Sequence, residues 1–168
     1  MTLDPEQLRH AMRAWTTGVA VVTAVHASQS YGMTVNSFTS ISLEPPLISV
    51  ALKKLTHTHE LVEKSGEFSV TILSASQKKL ADIFAGKYPE IKDRFEGVAT
   101  ENLLLPAPLI TGGIAFFNCR VVSLTSVGEN TLFVAEVLAA RGEGVGEPLA
   151  YHNRVYWKLD PTQNFPQH

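Results

Sequence analysis

Two long β-forming runs, Ile114 to Leu124 and Thr131 to Ala140, are joined through Val127-Gly128-Glu129-Asn130, and this pairing limits the fold more than any other feature. So short a connection permits only an antiparallel pair, because parallel neighbours need a crossover of a dozen or more residues. The rest of the chain repeats the theme. Val19 to Val25, a run from about Tyr31 through Ile41, Leu47 to Leu52, Glu67 to Leu73 and Val155 to Leu159 all read as strands. Glu44-Pro45-Pro46 cannot continue a sheet ladder and makes a rigid turn ahead of Leu47. Helix-like segments intervene. The first follows Asp4-Pro5, a capping residue and a proline suited to the first helical position, and carries the stripe Leu8, Ala11, Met12 and Trp15. The others are His57 to Lys64 and Gln77 to Ala85, with Gly86 to Arg94 as a loop or short helix. Six or seven strands with few crossover helices predict a mainly β fold: an antiparallel sheet closed on itself as a barrel, with peripheral helices.

A chain of 168 residues with 45% hydrophobic and 18% charged side chains fits one domain with a sizeable core. No apolar run approaches the roughly 20 residues that span a bilayer, and the acidic N-terminus does not read as a signal peptide. The expectation is therefore a cytoplasmic protein with no membrane partner. A formal net charge of −2 offers no basic excess for nucleic acid. Cys119 is the only cysteine, which excludes an internal disulfide, and the alternation around it predicts a buried, inert thiol.

The usual catalytic constellations are missing. There is neither a phosphate loop of the Gly-x-x-x-x-Gly-Lys-Ser/Thr type nor a Gly-x-Ser-x-Gly nucleophile turn, and Gly142 to Gly146 reads as a turn because Glu147-Pro148 cannot start a helix. His57 and His59 lie two apart at a helix start, where their rings diverge, so they read as solvated histidines and no metal site is expected. Asp82, Asp93, Glu96 and Glu101 sit among lysines and turn residues and are expected on a solvated charged face.

Two segments stand out. Gly32 to Ser40 is rich in small hydroxyl and amide side chains beside apolar runs, and burying such groups unpartnered costs about 1 to 3 kcal/mol each. They either bond to neighbouring strands and turns or face the polar edge of a ligand. Leu52-Lys53-Lys54-Leu55-Thr56-His57-Thr58 runs from a buried strand into a helix start, where free amides, hydroxyls and lysines suit a phosphate monoester. An ordinary capped helix with surface lysines reads equally from these residues alone.

Residues 32 to 47, Gly-Met-Thr-Val-Asn-Ser-Phe-Thr-Ser-Ile-Ser-Leu-Glu-Pro-Pro-Leu, resemble the signature of the flavin reductase-like family of FMN-binding split barrels. Trp15-Thr-Thr-Gly-Val-Ala-Val-Val-Thr, Phe84-Ala-Gly-Lys, Lys92-Asp-Arg-Phe, Cys119-Arg-Val-Val and Thr131-Leu-Phe-Val-Ala-Glu-Val extend the resemblance in order from about Leu8 to Leu159. It implies a split β-barrel and a flavin site. Met33, Thr34, Val35, Asn36, Ser37, Phe38 and Ser40 would meet the ring and ribityl chain. Leu52, Lys53, Lys54, Thr56 and Thr58 would hold the phosphate, and Phe84, Ala85 and Gly86 would supply a loop against the flavin, though Gly86 also reads as a helix cap. Trp15, Thr17, Asn130, Tyr151, His152 and Tyr156 would border the nicotinamide.

The implied activity is NAD(P)H-dependent hydride transfer to bound FMN, with FAD as an alternative flavin and NADH or NADPH as donor. Such chemistry needs no protein nucleophile. The resemblance also implies a homodimer and a redox partner such as a flavin-dependent monooxygenase. The family pattern Gly-Asp-His-Thr is replaced here by Gly128-Glu129-Asn130-Thr131, and Tyr-His-Arg-Gly-Arg-Tyr by Tyr151-His152-Asn153-Arg154-Val155-Tyr156. These departures leave a second reading, a non-enzymatic flavoredoxin-like FMN carrier.

Overall fold

Both faces of the strand Ala20–His26 (β2) are covered, which explains why its sequence is a continuous apolar run rather than an alternating one. In the computed structural model, which describes residues 3–144 and 146–159, Ala20, Val22 and Ala24 point into one apolar cluster while Val19 and Val21 join another. β2 lies inside a seven-stranded antiparallel sheet. With β1 (Thr17–Gly18), β3 (Gln29–Val35), β4 (Thr39–Leu43), β5 (Pro46–Lys53), β6 (Glu67–Ile72), β7 (Thr100–Glu101), β8 (Leu109–Ile110), β9 (Ala115–Val127) and β10 (Asn130–Gly142), the order is β3-β2-β6-β9-β10-β5-β4.

The first cluster takes Val22 from β2, Val35 from β3, Val50 from β5, Phe68 from β6, Cys119 from β9 and Phe133 from β10. Six strands converge on one core only if the sheet curls round it. β3 and β4 remain the two edges and do not pair with each other among the described residues, so the barrel is split. One end of the core is closed by α2 (His57–Ser65), whose Leu61 and Val62 are buried there. The second cluster lies on the outer face, where α3 (Lys78–Phe84) presses Ala81 and Phe84 against Val19 and Val21. A small sheet of β1, β11 (Leu149–His152) and β12 (Val155–Lys158) flanks it. α1 (Pro5–Met12) is capped as expected, Asp4 Oδ1 accepting the Glu6 amide at 3.0 Å.

The sequence expectations fail at instructive places. The run from Tyr31 through Ile41 is two strands, broken at Asn36-Ser37-Phe38, because the Ser37 hydroxyl bonds both the carbonyl (2.9 Å) and the amide (3.2 Å) of Ala51. Side-chain bonds to the neighbouring strand here take the place of ladder bonds. The hairpin after β9 is tighter than expected, Gly128-Glu129 alone, with Gly128 at φ +54°. Pro46 opens β5 instead of belonging to the turn, a first-strand position that proline tolerates. The helix expected from Gln77 begins one residue later, after a 3₁₀ turn at Ala75–Gln77, and residues 86–94 are a loop. The short strands β1, β7, β8 and β11 carry too few residues for a pattern to show. Val145, within the glycine-rich turn, lies outside the described residues.

Candidate functional site

A chain of cavities follows β3 from its first residue to the break beyond its last. The central one, about 550 Å³, is lined by Gly32, Met33 and Thr34 of β3, by Lys53, Thr56, His57 and Thr58 at the start of α2, and by Phe84, Ala85 and the loop Ile91 to Phe95. Beyond it, Thr34, Val35, Asn36, Ala85, Lys87, Tyr151 and Tyr156 surround a cavity of about 200 Å³. Trp15, Thr17, Val35, Asn36 and Phe38 line another of about 240 Å³. Asn36 faces both of the smaller spaces.

Local chemistry fixes the walls. Gly32 lets β3 approach α3: a Cβ there would stand 2.8 Å from the Phe84 ring. The Thr34 hydroxyl donates to the Ala81 carbonyl at 2.7 Å, and Arg94 donates to the carbonyls of Gly32 and Phe84, each at 3.0 Å. Strand, helix and following loop are thereby tied into one rigid wall. On the opposite side Thr56 caps α2, accepting the His59 amide at 3.3 Å and donating to the Lys53 carbonyl at 2.8 Å. The amides of His57 and Thr58 fall in the first turn, where no intrahelical acceptor exists. Both residues line the central cavity with Lys53, a combination suited to an anion.

Not all expected residues reach this groove. Met33, Thr34, Val35, Asn36, Phe38, Lys53, Thr56, Thr58, Phe84 and Ala85 do, as do Trp15, Thr17, Tyr151 and Tyr156. The side chain of Leu52 is fully buried in the barrel core. Lys54 points elsewhere, donating to Ser126 Oγ (2.6 Å) and the Gly128 carbonyl (2.8 Å). Ser37 is spent on Ala51, Ser40 is exposed on β4, and Gly86 at φ +75° shapes the turn after α3 outside the lining of the central cavity. Asn130 lies beside Lys53 in the β10–β5 ladder and does not line the cavity of Tyr151 and Tyr156. His152 turns aside to share a hydrogen bond of 2.8 Å with Thr16.

Two groups expected on a solvated face are buried. His59 lies within the core end, its Nε2 2.8 Å from Thr131 Oγ1 and its Nδ1 3.7 Å from Glu63, because α2 turns this side of the helix onto the barrel. Asp82 is buried on α3 between Lys87 (2.5 Å) and Lys78 (3.4 Å). Burial works against its charge, but the two ammoniums outweigh it and hold the carboxyl below the usual aspartate range. Both ammoniums also lie over the Tyr156 ring, at 4.9 and 5.9 Å from its centroid. Burial first, then the Asp82 and Tyr151 charges, push the Tyr156 hydroxyl up to about 12, so it stays a neutral donor at any working pH. Glu101, another acid expected to be solvated, is half-buried and paired with Arg141 at 2.8 Å, whereas Asp93 and Glu96 are exposed as expected.

Sequence reasoning passed over Lys87 and Arg94 as site residues. Lys87 follows directly on Phe84-Ala85-Gly86, a positional hint, while nothing in the sequence marks which carbonyls Arg94 would reach.

The groove can hold a planar ring with an anionic tail. Thr17 Oγ1 supports a polar occupant: it is buried, lacks a partner among the described residues and belongs to a residue lining the cavity beside Asn36. The residues present therefore fit a flavin at the Asn36 end and its phosphate at the start of α2.

Comparison with known proteins agrees with this geometry. The profile of the flavin reductase like domain matches residues 12–160. An NADH-dependent FAD reductase of Streptomyces globisporus is 39% identical over 142 residues, covering 82% of this chain and 76% of that protein. An FMN reductase (NADH) of Agrobacterium fabrum is 36% identical over 156 residues, covering 93% and 87%. Among solved structures, the Streptomyces globisporus NADH:FAD oxidoreductase in complex with NAD and FAD fragments superposes with a TM-score of 0.86 at 32% identity, covering 98% of this chain and 99% of that one.

Proposed function

The chain belongs to the flavin reductase like domain family, and from that premise we propose that it is an NADH-dependent flavin reductase that supplies reduced flavin to a partner oxygenase. The observation that carries the reading is the continuous groove along β3, with a cation and two free helix amides at one end and two tyrosines with an unpartnered threonine hydroxyl at the other. When bound, the flavin supplies the acceptor position for a hydride from the reduced nicotinamide.

The protein's share is binding, orientation and exclusion of water. Lys53 and the amides of His57 and Thr58 hold the phosphate. Thr34, Asn36 and the backbone at the β3 break orient the ring's polar edge, and Ala85 packs against it. Tyr151, Tyr156, Trp15 and Thr17 receive the nicotinamide, with Lys87 positioned over Tyr156 by Asp82. No side chain needs to gain or lose a proton for the hydride itself to move.

The same reading takes the chain as one such domain, cytoplasmic and acting as a homodimer. Ile41 and Leu43 on β4 and Val122 and Leu124 on β9 are exposed apolar residues, which supports a second copy as a cover. Among the described residues no helix is long and apolar enough to cross a membrane. A monooxygenase partner is supported by relatives such as the reductase subunit of a flavin-dependent monooxygenase of Mycobacterium tuberculosis, 30% identical over 168 residues that cover 99% of this chain and 88% of that protein. The carrier reading has no such support, the curated relatives named here being reductases.

Stopped-flow mixing of flavin-loaded protein with NADH tests the reading. Rapid bleaching of the flavin absorbance band is expected, and an unchanged band refutes it. Asn36→Leu should lower flavin affinity at least tenfold while Glu96→Ala, off the groove, leaves it unchanged.

A further inference from the structure

Charge is scarce around the two smaller cavities that Asn36 faces. Of the described residues lining them, Lys87 alone carries a charged side chain. Tyr156 adds none, because burial and the nearby Asp82 carboxylate keep its hydroxyl protonated.

Lys87 is also fixed, as a surface lysine ordinarily is not. α3 ends at Phe84, and Gly86, at φ +75°, turns the chain back so that Lys87 returns alongside Asp82. The Lys87 amide donates to the Asp82 carbonyl at 3.1 Å, and its ammonium lies 2.5 Å from Asp82 Oδ1. Asp82 is itself buried, so both ends of a long flexible residue are anchored to one helix. The ammonium then stands 4.9 Å from the centroid of the Tyr156 ring, at the cavity it shares with Thr34, Asn36 and Ala85. Lys78 pairs with the same carboxylate at 3.4 Å, so two ammoniums face one carboxylate and an excess of positive charge remains.

Hydride transfer creates a use for that excess. A C–H bond of the reduced nicotinamide breaks, both electrons leave with the hydrogen, and a new bond forms at the flavin ring. The nicotinamide is oxidised and becomes cationic; the flavin is reduced and gains one negative charge. A cation held in advance beside the ring's polar edge favours that charge without having to reorganise. Lys53 is at the phosphate end of the groove, which leaves Lys87 for the ring.

On the strength of the flavin reading above, we infer that Lys87 is a catalytic residue that stabilises reduced over oxidised flavin electrostatically, held in place for that task by Asp82. Spectroelectrochemical titration of the flavin-loaded protein tests this. Lys87→Met should lower the preference for reduced over oxidised flavin about tenfold or more, which for a two-electron couple moves the midpoint potential down by about 30 mV. Lys87→Gln, which can still donate to Asp82 and so leaves that buried carboxylate partnered, should do the same. Lys87→Arg should keep the preference within about threefold of wild type, or about 14 mV. Affinity for oxidised flavin should change less than about threefold in all three variants, which reports an intact groove. In an Asp82→Asn background the ammonium is no longer anchored, so Lys87→Met should shift the preference there by less than about threefold.

A midpoint that stays put in both neutral variants overturns the assignment of Lys87, whether or not NADH binding weakens. A shift of equal size with and without Asp82 overturns the part given to Asp82. A wild-type protein that retains no flavin removes the flavin reading itself, an outcome distinct from an unmoved midpoint in loaded protein.

Discussion

Replacing Gly32 by alanine places one methyl group where β3 and α3 meet most closely. The added carbon would lie 2.8 and 2.9 Å from two atoms of the Phe84 ring and 3.3 Å from the Thr23 methyl. Carbon atoms rest about 3.5 to 4.0 Å apart, so the ring or the strand must give by about 1 Å. Phe84 has little room to retreat. It is buried, packs edge-on against Phe95 with centroids 5.2 Å apart, and its carbonyl accepts Arg94. Shifting α3 instead stretches the 2.7 Å bond from Thr34 to the Ala81 carbonyl. Overpacking of this kind costs about 1 to 3 kcal/mol. For a domain of this size that lowers Tm by about 2 to 12 °C, measurable by scanning calorimetry, and flavin affinity should fall with it because the same contact shapes the groove. Phe84→Leu removes the clashing ring atoms, so the double variant should lose less stability than the sum of the singles. A Gly32→Ala Tm within about 1 °C of wild type, or strict additivity in the double variant, refutes the close-packing argument.

Three other perturbations have definite outcomes. Asn118 is fully buried, its Oδ1 accepting the amides of Leu104 (2.6 Å) and Leu105 (3.0 Å) while Nδ2 donates to Ser69 Oγ at 2.7 Å; Asn118→Ala should cost about 2 to 4 kcal/mol in chemical denaturation, and a loss below about 1 kcal/mol contradicts that role. Burial pushes the Cys119 thiol up to about 12, so iodoacetamide at pH 8 should leave the native protein unmodified and alkylate it only in denaturant, as read by mass. Because Lys87 and Lys78 hold the Asp82 carboxyl low, its ion pairs stabilise the fold above the unfolded pKa and fade as pH falls through the lower folded value. The stability gap between wild type and Asp82→Asn should thus be constant near neutrality and shrink below about pH 4; a gap that persists unchanged into stronger acid argues against the pairing.

How much of this was legible in the residues depends on the range of the interactions. Asp4-Pro5 announced a helix start, and the run after it a strand, because caps and β-branched propensity act over a few neighbours. The antiparallel barrel followed from short connections. The break after Val35 did not, since it depends on Ser37 reaching Ala51 on another strand. Asp82 was assigned to solvent because its sequence neighbours are lysines, yet those lysines are the partners that let it be buried. Leu52 and Lys54 flank Lys53 in the same motif, but strand alternation turns Leu52 into the core and Lys53 to the groove, while Lys54 lies past the end of β5 and reaches Ser126. Asn130 is read as a nicotinamide residue through resemblance alone, and the ladder places it beside Lys53.

The bond from Arg94 to the Gly32 carbonyl bears on a different hazard. β3 is an outermost strand, and an unpaired rim of carbonyls and amides is a template on which foreign chains can zip up into fibrils. Arg94 occupies one of those acceptors as a neighbouring strand otherwise would, and the bulk of its loop stands in the way of any incoming backbone. A single guanidinium thus serves as a selvedge, covering one acceptor on the open side of the barrel that an edge strand otherwise offers to other chains.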